Sequence, residues 1–389
     1  MTHALDDAPR PTGLPARLAG VYFWYFAGVG VMLPYWSLYL AGQGLGPEAI
    51  GLMLALVQGV KLLAPMLAGW WADRHAGAMP VVRAGTALAT LALLAITLGG
   101  GQLWLLVLLM PLFGFGLNAA LPLFEATTMA HLGREQARYG PIRLWGSVGF
   151  ILAAYGVGRW VEVAGVAVVP LALTLLTLAL SLSSWLVPPA ATTPGRAPVL
   201  GGLWREPRVL ALLTMTLLMQ ASHGVYYAFY SIYLAGLGHS GQAIGLLWGL
   251  AVLAEVILFA LLPRLRARLE IRPLLLWTFG LTVLRWGLLA VGVTALPGLM
   301  LIQCLHAFSF GSYHALSMAL IARFFPDRLA ARGQALYSSL GFGLGGLLAS
   351  LAAGFVWAEL GPAGSFWLSA GLAALAGLVC WRWLHPGIL

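Results

Sequence analysis

Apolar runs of roughly 20 residues, the length an α-helix needs to cross a bilayer core, follow one another along the whole chain. Short segments rich in Arg, Gly and Pro separate them. The pattern predicts twelve membrane-spanning helices. Six lie at 18–40, 50–71, 81–98, 103–129, 142–160 and 166–185, and six at 209–234, 243–262, 274–293, 299–325, 335–357 and 366–380. A membrane barrel would show short strands of alternating polarity instead, so the fold class read here is all-α and integral to the membrane.

The halves repeat one another. Residues 37–56 read SLYLAGQGLGPEAIGLMLAL and 231–250 read SIYLAGLGHSGQAIGLLWGL, identical at 11 of 20 positions at a constant offset of 194. The identities include Ser37 with Ser231, Tyr39 with Tyr233, Gly42 with Gly236 and Gly44 with Gly238, which apolar composition alone does not supply. Such self-similarity predicts two like units packed together, with function between them. Segment 188–206 breaks the apolar pattern with Pro, Gly and Thr and reads as a linker, leaving six spans to residues 1–187 and six to 207–389. The expectation is two pseudo-symmetric six-helix bundles in the same orientation.

Composition agrees: 61% of residues are hydrophobic and 8% charged, far from the roughly 25% charged of soluble domains. Charge then sets orientation, because Lys and Arg accumulate in cytoplasmic loops. Of the 21 basic residues, Arg159 alone lies on one side, Lys61 and Arg285 fall inside spans, and the other 18, Arg10, Arg196 and Arg328 among them, share the side of the termini. Both termini are therefore expected in the cytoplasm of an inner-membrane protein, and the net charge of +9 reflects topology rather than nucleic-acid binding. No signal-peptide segment precedes the first span. Cys304 and Cys380 sit in separate spans and suggest neither a disulfide framework nor a metal site.

Ionisable residues inside spans are costly and default to function. In a helical hairpin, residues equidistant from the turn lie at one depth, since each rises about 1.5 Å. By that rule His223, Glu255, Arg285 and His306, from four successive spans, share one layer near mid-membrane, and Glu125 pairs with Arg143 nearer the cytoplasm. Glu255 is expected to partner Arg285. Lys61, the only lysine, falls at the repeat position of Glu255 and has no evident partner in its own half, which marks it as a candidate anion site, the alternative being a partner across the interface. Gln220, His223, Tyr227 and Tyr230 follow at i, i+3, i+7 and i+10, along one helical face of the seventh span.

At these residues the chain resembles the 3-phenylpropionate permease family of the major facilitator superfamily. The likeness rests on RLWGSVGF (143–150), QASHGVYYAFYSIYL (220–234), LLWGLAVLAEV (246–256), LRWG (284–287) and LHAFSFGSYHA (305–315). The resemblance implies alternating-access uptake of a small aromatic carboxylic acid with protons. A more distant resemblance is to the lactose permease group. There Glu125 and Arg143 match a sugar-binding acid and arginine, Glu255 an eighth-helix acid, and Arg285 with His306 a proton-coupling arginine and histidine. One departure is Ser309, which stands where that group has a proton-carrying carboxylate, so coupling is expected to move to Glu255, the preferred carrier, or to Glu125, or to be absent. The superfamily's loop motif survives as GWWADRHAG, with Gly69, Asp73 and Arg74 in the signature places, and implies gating.

No HExxH, GxSxG or phosphate-binding loop is present, so neither an enzyme nor an ATP-driven pump is expected, and no cofactor or metal. The expected partners are a small-molecule substrate, protons and lipid, with the chain acting as a monomer. Buried cations with Tyr and Trp suit an aromatic anion. The alternative is a proton-coupled sugar or nucleoside symporter, in which Glu125 and Glu255 accept hydroxyls and Trp145 stacks on a sugar face.

Overall fold

The computed structural model describes residues 13–190, 202–325 and 329–384, and is helical throughout, with no strand among the described residues. Linker residues 191–201 and the arginines Arg10, Arg196 and Arg328 lie outside the described residues. Every expected span corresponds to a helix. The first bundle comprises α1 (Leu14–Gly42), α2 (Pro47–His75), α3 (Ala78–Leu98), α4 (Leu103–Leu132), α5 (Tyr139–Ala164) and α6 (Val166–Trp185). The second comprises α7 (Pro207–Gly236), α8 (Gly241–Arg266), α9 (Ile271–Ala290), α10 (296–324), α11 (330–360) and α12 (361–383).

Nine described stretches are long and apolar enough to cross a membrane by length and composition. The difference from twelve has local causes. Arg143, Arg159 and several glycines dilute α5. A π-helical segment, Ala307–Ser312, interrupts α10. Helices α11 and α12 run together, divided at Gly361, whose φ of 64° is open to glycine and which precedes the helix-breaking Pro362. A second π-helical segment, Ser339–Gly345, sits in α11.

Helix α2 breaks at residues 61–63, where the amides of Lys61, Leu62 and Leu63 bond to carbonyls three residues back. Pro65 explains this: it has no N–H to offer the Lys61 carbonyl, and its ring crowds the preceding turn. The repeat position of Pro65 is Phe259, and α8 continues unbroken there.

The bundles pack equivalently. Helix α1 lies on α5 as α7 lies on α11, and α3 on α6 as α9 on α12. Across the interface α5 meets α8 and α2 meets α11, a pair of contacts exchanged by the repeat. Glycine makes both possible. A Cβ on Gly51 would strike the Ser350 carbonyl, and one on its repeat partner Gly245 would strike the Ala154 carbonyl. A Cβ on Gly354 would meet the Pro47 carbonyl, and one on Gly158 the carbonyl of Gly241, the repeat partner of Pro47. The Tyr35 hydroxyl is buried at this crossing, donating to the Ala154 carbonyl at 2.7 Å and lying 3.0 Å from that of Gly241. All these close approaches fall in the helix halves remote from the termini, so that end of the interface is sealed.

Candidate functional site

Between the bundles lies a cavity of about 280 Å³ walled by α1, α2, α4, α7, α10 and α11. Among the described residues, Lys61 is its one charged wall residue, and no carboxylate lines it. The break in α2 sets Lys61 there, and its ammonium makes no hydrogen bond or ion pair with a described residue. Around it stand the amides of Gln58, Asn118 and Gln220 and the rings of Tyr25, Phe113, Tyr227, Phe310 and Phe342. Gln58 lies one helical turn from Lys61, and the Asn118 amide donates to the Gly114 carbonyl at 2.7 Å. A cation flanked by amides and bordered by aromatic faces can hold a carboxylate and stack a ring.

Behind the Tyr227 and Phe310 walls is a second polar cluster. His306 Nε2 lies 2.9 Å from Glu255 Oε1. Arg285, fully buried, donates to Ser309 Oγ at 3.0 Å and to Gln303 Oε1 at 2.9 Å, with its guanidinium 4.3 Å from both the Tyr226 and Trp286 ring centres. Gln303 in turn donates to the Tyr226 hydroxyl at 3.1 Å. His223 Nδ1 donates to the Met219 carbonyl at 2.8 Å, and its Nε2 lies 3.3 Å from Ser309 Oγ. The cluster touches the cavity through stacked rings: His223 on Tyr227 at 5.8 Å and His306 on Phe310 at 5.7 Å.

His223, Glu255, Arg285 and His306 thus meet in one layer, as the hairpin rule placed them. Their pairing differs. Glu255 takes His306 rather than Arg285, and Arg285 is held by neutral partners. Glu125 and Arg143 do not form the expected ion pair. The Arg143 guanidinium lies 3.7 Å over the Phe26 ring, while Glu125 accepts from the Tyr139 hydroxyl at 3.5 Å. Equal depth does not fix azimuth, and α5 packs on α1 and α8 rather than on α4.

Of the other expected contact residues, Lys61, Gln220 and Tyr227 line the cavity, whereas Glu125, Arg143, Trp145, His223 and Tyr230 do not. Trp145 is 53% exposed, on the flank of α5 beside the face that Gly146 and Gly149 lay flush on α1. Tyr230 is buried against Tyr226 and Trp248. Gly69, Asp73 and Arg74 lie at the terminus-side end of α2, with Arg74 4.6 Å over the Trp70 ring and Asp73 exposed. Gln58, Asn118, Phe113, Phe310 and Phe342 escaped the sequence reading. Asn118, the only asparagine in the chain, and Gln58, at i−3 from Lys61, carried a usable signal, but the phenylalanines carried none.

Comparison with known proteins agrees with this architecture. The model of the MFS_1 like family matches residues 16–368. A protein described as a probable 3-phenylpropionic acid transporter, from Escherichia coli (strain K12), is 34% identical over 93% of the chain and 95% of its own length. A maltose permease of Geobacillus stearothermophilus is 28% identical over 92% of the chain and 91% of its own length. Among solved structures, the nucleoside transporter NupG superposes with a TM-score of 0.82 at 17% identity, covering 96% of the chain and 99% of that structure. A D-xylose-proton symporter does so at 0.72 and 17%, covering 95% and 96%. These two show likeness of fold. Twelve spans in two like bundles, a cavity between them and a match over most of the chain lead to one conclusion: the chain is a multi-pass membrane transporter, not an enzyme, and belongs to the MFS_1 like family.

Proposed function

We propose that the chain is a secondary transporter that moves a small aromatic carboxylate by alternating access, coupled to protons through Glu255 and His306. The observation that carries the reading is Lys61, an ammonium on the cavity wall with no described partner and no carboxylate beside it. A buried charge without a counterion needs a ligand or water to offset its desolvation, and an anion entering the cavity supplies both charge and hydrogen bonds. The aromatic walls account for the ring, and the name of the 34% identical relative supports the class.

The sealed end of the interface carries the hairpin loops at 43–46 and 237–240, and the termini lie at the other. With the charge bias placing the termini in the cytoplasm of the inner membrane, the state seen here faces inward. The functional unit is a monomer, since the cavity is complete within one chain. Substrate exchange then requires the Gly51, Gly245 and Tyr35 contacts to part while the opposite helix ends close.

A thermal-shift screen of purified protein against aromatic acids, sugars and nucleosides tests the substrate class, because a ligand that binds only the native state raises apparent stability. Aromatic acids are expected to stabilise; stabilisation by sugars alone would reverse the reading. Lys61→Met is expected to weaken 3-phenylpropionate binding by about 10- to 100-fold, the scale of a lost charge-assisted hydrogen bond of roughly 1.5–3 kcal/mol. Folding should be preserved, since an apolar side chain replaces an unpaired charge. Unchanged affinity in a well-folded variant would remove the anion site.

A further inference from the structure

The sealed end of the cavity holds two serines that the carboxylate reading leaves unused. Ser37 on α1 and Ser350 on α11 both line the cavity and are 2% and 8% exposed. Neither hydroxyl makes a hydrogen bond with a described residue. Most helical hydroxyls bond back to a carbonyl one turn earlier, as Thr86 does to Val82, Thr216 to Leu212 and Ser369 to Ser365; Ser37 and Ser350 are among the minority that do not, and they are the two that line the cavity.

The internal repeat shows what such a serine takes when it is satisfied. The repeat partner of Ser37 is Ser231, whose Oγ accepts from the indole Nε1 of Trp248 at 3.0 Å. The residue at the Trp248 position in the first copy is Leu54, which has no donor and itself lines the cavity. The second bundle thus fills with its own side chain the place that the first bundle leaves as open cavity. A ligand group there would stand where the indole N–H stands in the other half, and would need to be a good donor on a flat apolar body. A phenolic hydroxyl has that chemistry.

The spacing agrees. Leu54, at the level of Ser37 by the repeat, precedes Lys61 by seven residues, a rise of about 10 Å at 1.5 Å per residue. That is the reach from the carboxylate of a short acid arm to the far edge of a single ring. Lys61 and Gln58 stand toward one end of the cavity, while Ser37, level with Leu54, and Ser350, against Gly51, stand toward the other.

We propose that Ser37, assisted by Ser350, binds a hydroxyl group on the substrate's ring, so that the preferred ligands are hydroxyphenyl carboxylates rather than unsubstituted phenyl ones. The proposal rests on the aromatic carboxylate reading and sharpens it. Serine accepts from the phenol, and its own proton is free for a second acceptor. A site that places buried hydroxyls against a ligand discriminates against an analogue lacking the matching group, because those hydroxyls are then left unpaired.

The test is isothermal titration of the purified full chain in lipid nanodiscs with 3-phenylpropionate and with its 3- and 4-hydroxyphenyl counterparts. One hydroxylated acid is expected to bind about tenfold more tightly than the parent, the order of one well-formed hydrogen bond. Ser37→Ala combined with Ser350→Ala is expected to erase that preference while leaving affinity for 3-phenylpropionate within about twofold. Equal binding of all three acids by the unaltered chain, or a preference that survives in the double variant, overturns the hydroxyl site and leaves the carboxylate reading standing. Binding of none of the acids overturns both.

Discussion

Leucine at Gly51 and Gly245 together is expected to abolish net transport and hold the cavity open at the end that is sealed in the structure. Each position faces a backbone carbonyl across the interface, Ser350 for Gly51 and Ala154 for Gly245, at a separation that leaves no room even for a methyl group. Backbone cannot rotate aside as a side chain can, so the bundles must part there. Overpacking of this kind costs roughly 1–3 kcal/mol per site. Two sites related by the repeat act on the same closed contact, and a shift of about 5.5 kcal/mol takes a two-state equilibrium from 1:99 to 99:1. At the upper end of that range the two substitutions suffice to change the dominant state, and they leave Lys61 and the amides around it untouched. The measurement is alkylation by an impermeant maleimide of a cysteine at Ser37, in a chain with Cys304 and Cys380 replaced. Reaction should be slow in the unaltered background and fast in the double variant. Equal labelling rates would mean that the glycine contacts do not hold this end shut.

Tyr35 belongs to the same seal but breaks its symmetry. Its hydroxyl spans Ala154 of its own bundle and Gly241 of the other, whereas its repeat partner Phe229 stacks on Trp357 at 4.9 Å. Tyr35→Phe is expected to raise the labelling rate at Ser37 by a few-fold, consistent with one hydrogen bond of about 1 kcal/mol, and far less than the glycine pair.

What could be read in the sequence follows from which physical quantity each feature depends on. The spans and the repeat depend on length and apolarity, which the chain states directly. The layer of His223, Glu255, Arg285 and His306 depends on depth alone, and counting residues from each hairpin supplies depth. Pairing within the layer depends on azimuth and on which helices pack, and there the count was silent: His306, not Arg285, reached Glu255, and Phe26 rather than Glu125 took Arg143. Lys61 was visible as a lone charge, but its delivery to the cavity depends on the break at Pro65. Trp145, the sugar-face residue of the alternative reading, is outside the cavity lining, since its place on the flank of α5 depends on azimuth as well. The phenylalanine walls come from α4, α10 and α11, and nothing in an apolar run distinguishes a cavity face from a lipid face.

Glu255→Gln is expected to abolish accumulation driven by a pH gradient while retaining substrate exchange. Glu125 and Glu255 are the acidic residues within the interiors of the spans, and Ser309, which binds Arg285 and His223, cannot carry a proton. Glu255 is the one in contact with the buried cluster. It lies against His306, and its chain passes 3.3 Å from where a Cβ on Gly311 would stand. The other charged or titratable groups acting on that pair are Arg285 on α9, His223, Tyr226 and Tyr227 on α7, and Arg143 on α5. His306 stacks on Phe310, so a ligand that moves this cavity ring bears on the partner of Glu255. Glutamine keeps the shape and a hydrogen bond to His306 but fixes the neutral form. Exchange of labelled for unlabelled substrate does not require the proton to leave, whereas uphill movement does. The decisive comparison is made in proteoliposomes. Counterflow of labelled 3-phenylpropionate should persist, its rate should lose its dependence on external pH, and an imposed proton gradient should produce no concentration of substrate inside. A Glu255→Gln protein that still concentrates substrate under that gradient alone would transfer the proton role to Glu125, whose one described hydrogen bond, from the Tyr139 hydroxyl, places it on the terminus-side half of α4 rather than in the buried cluster.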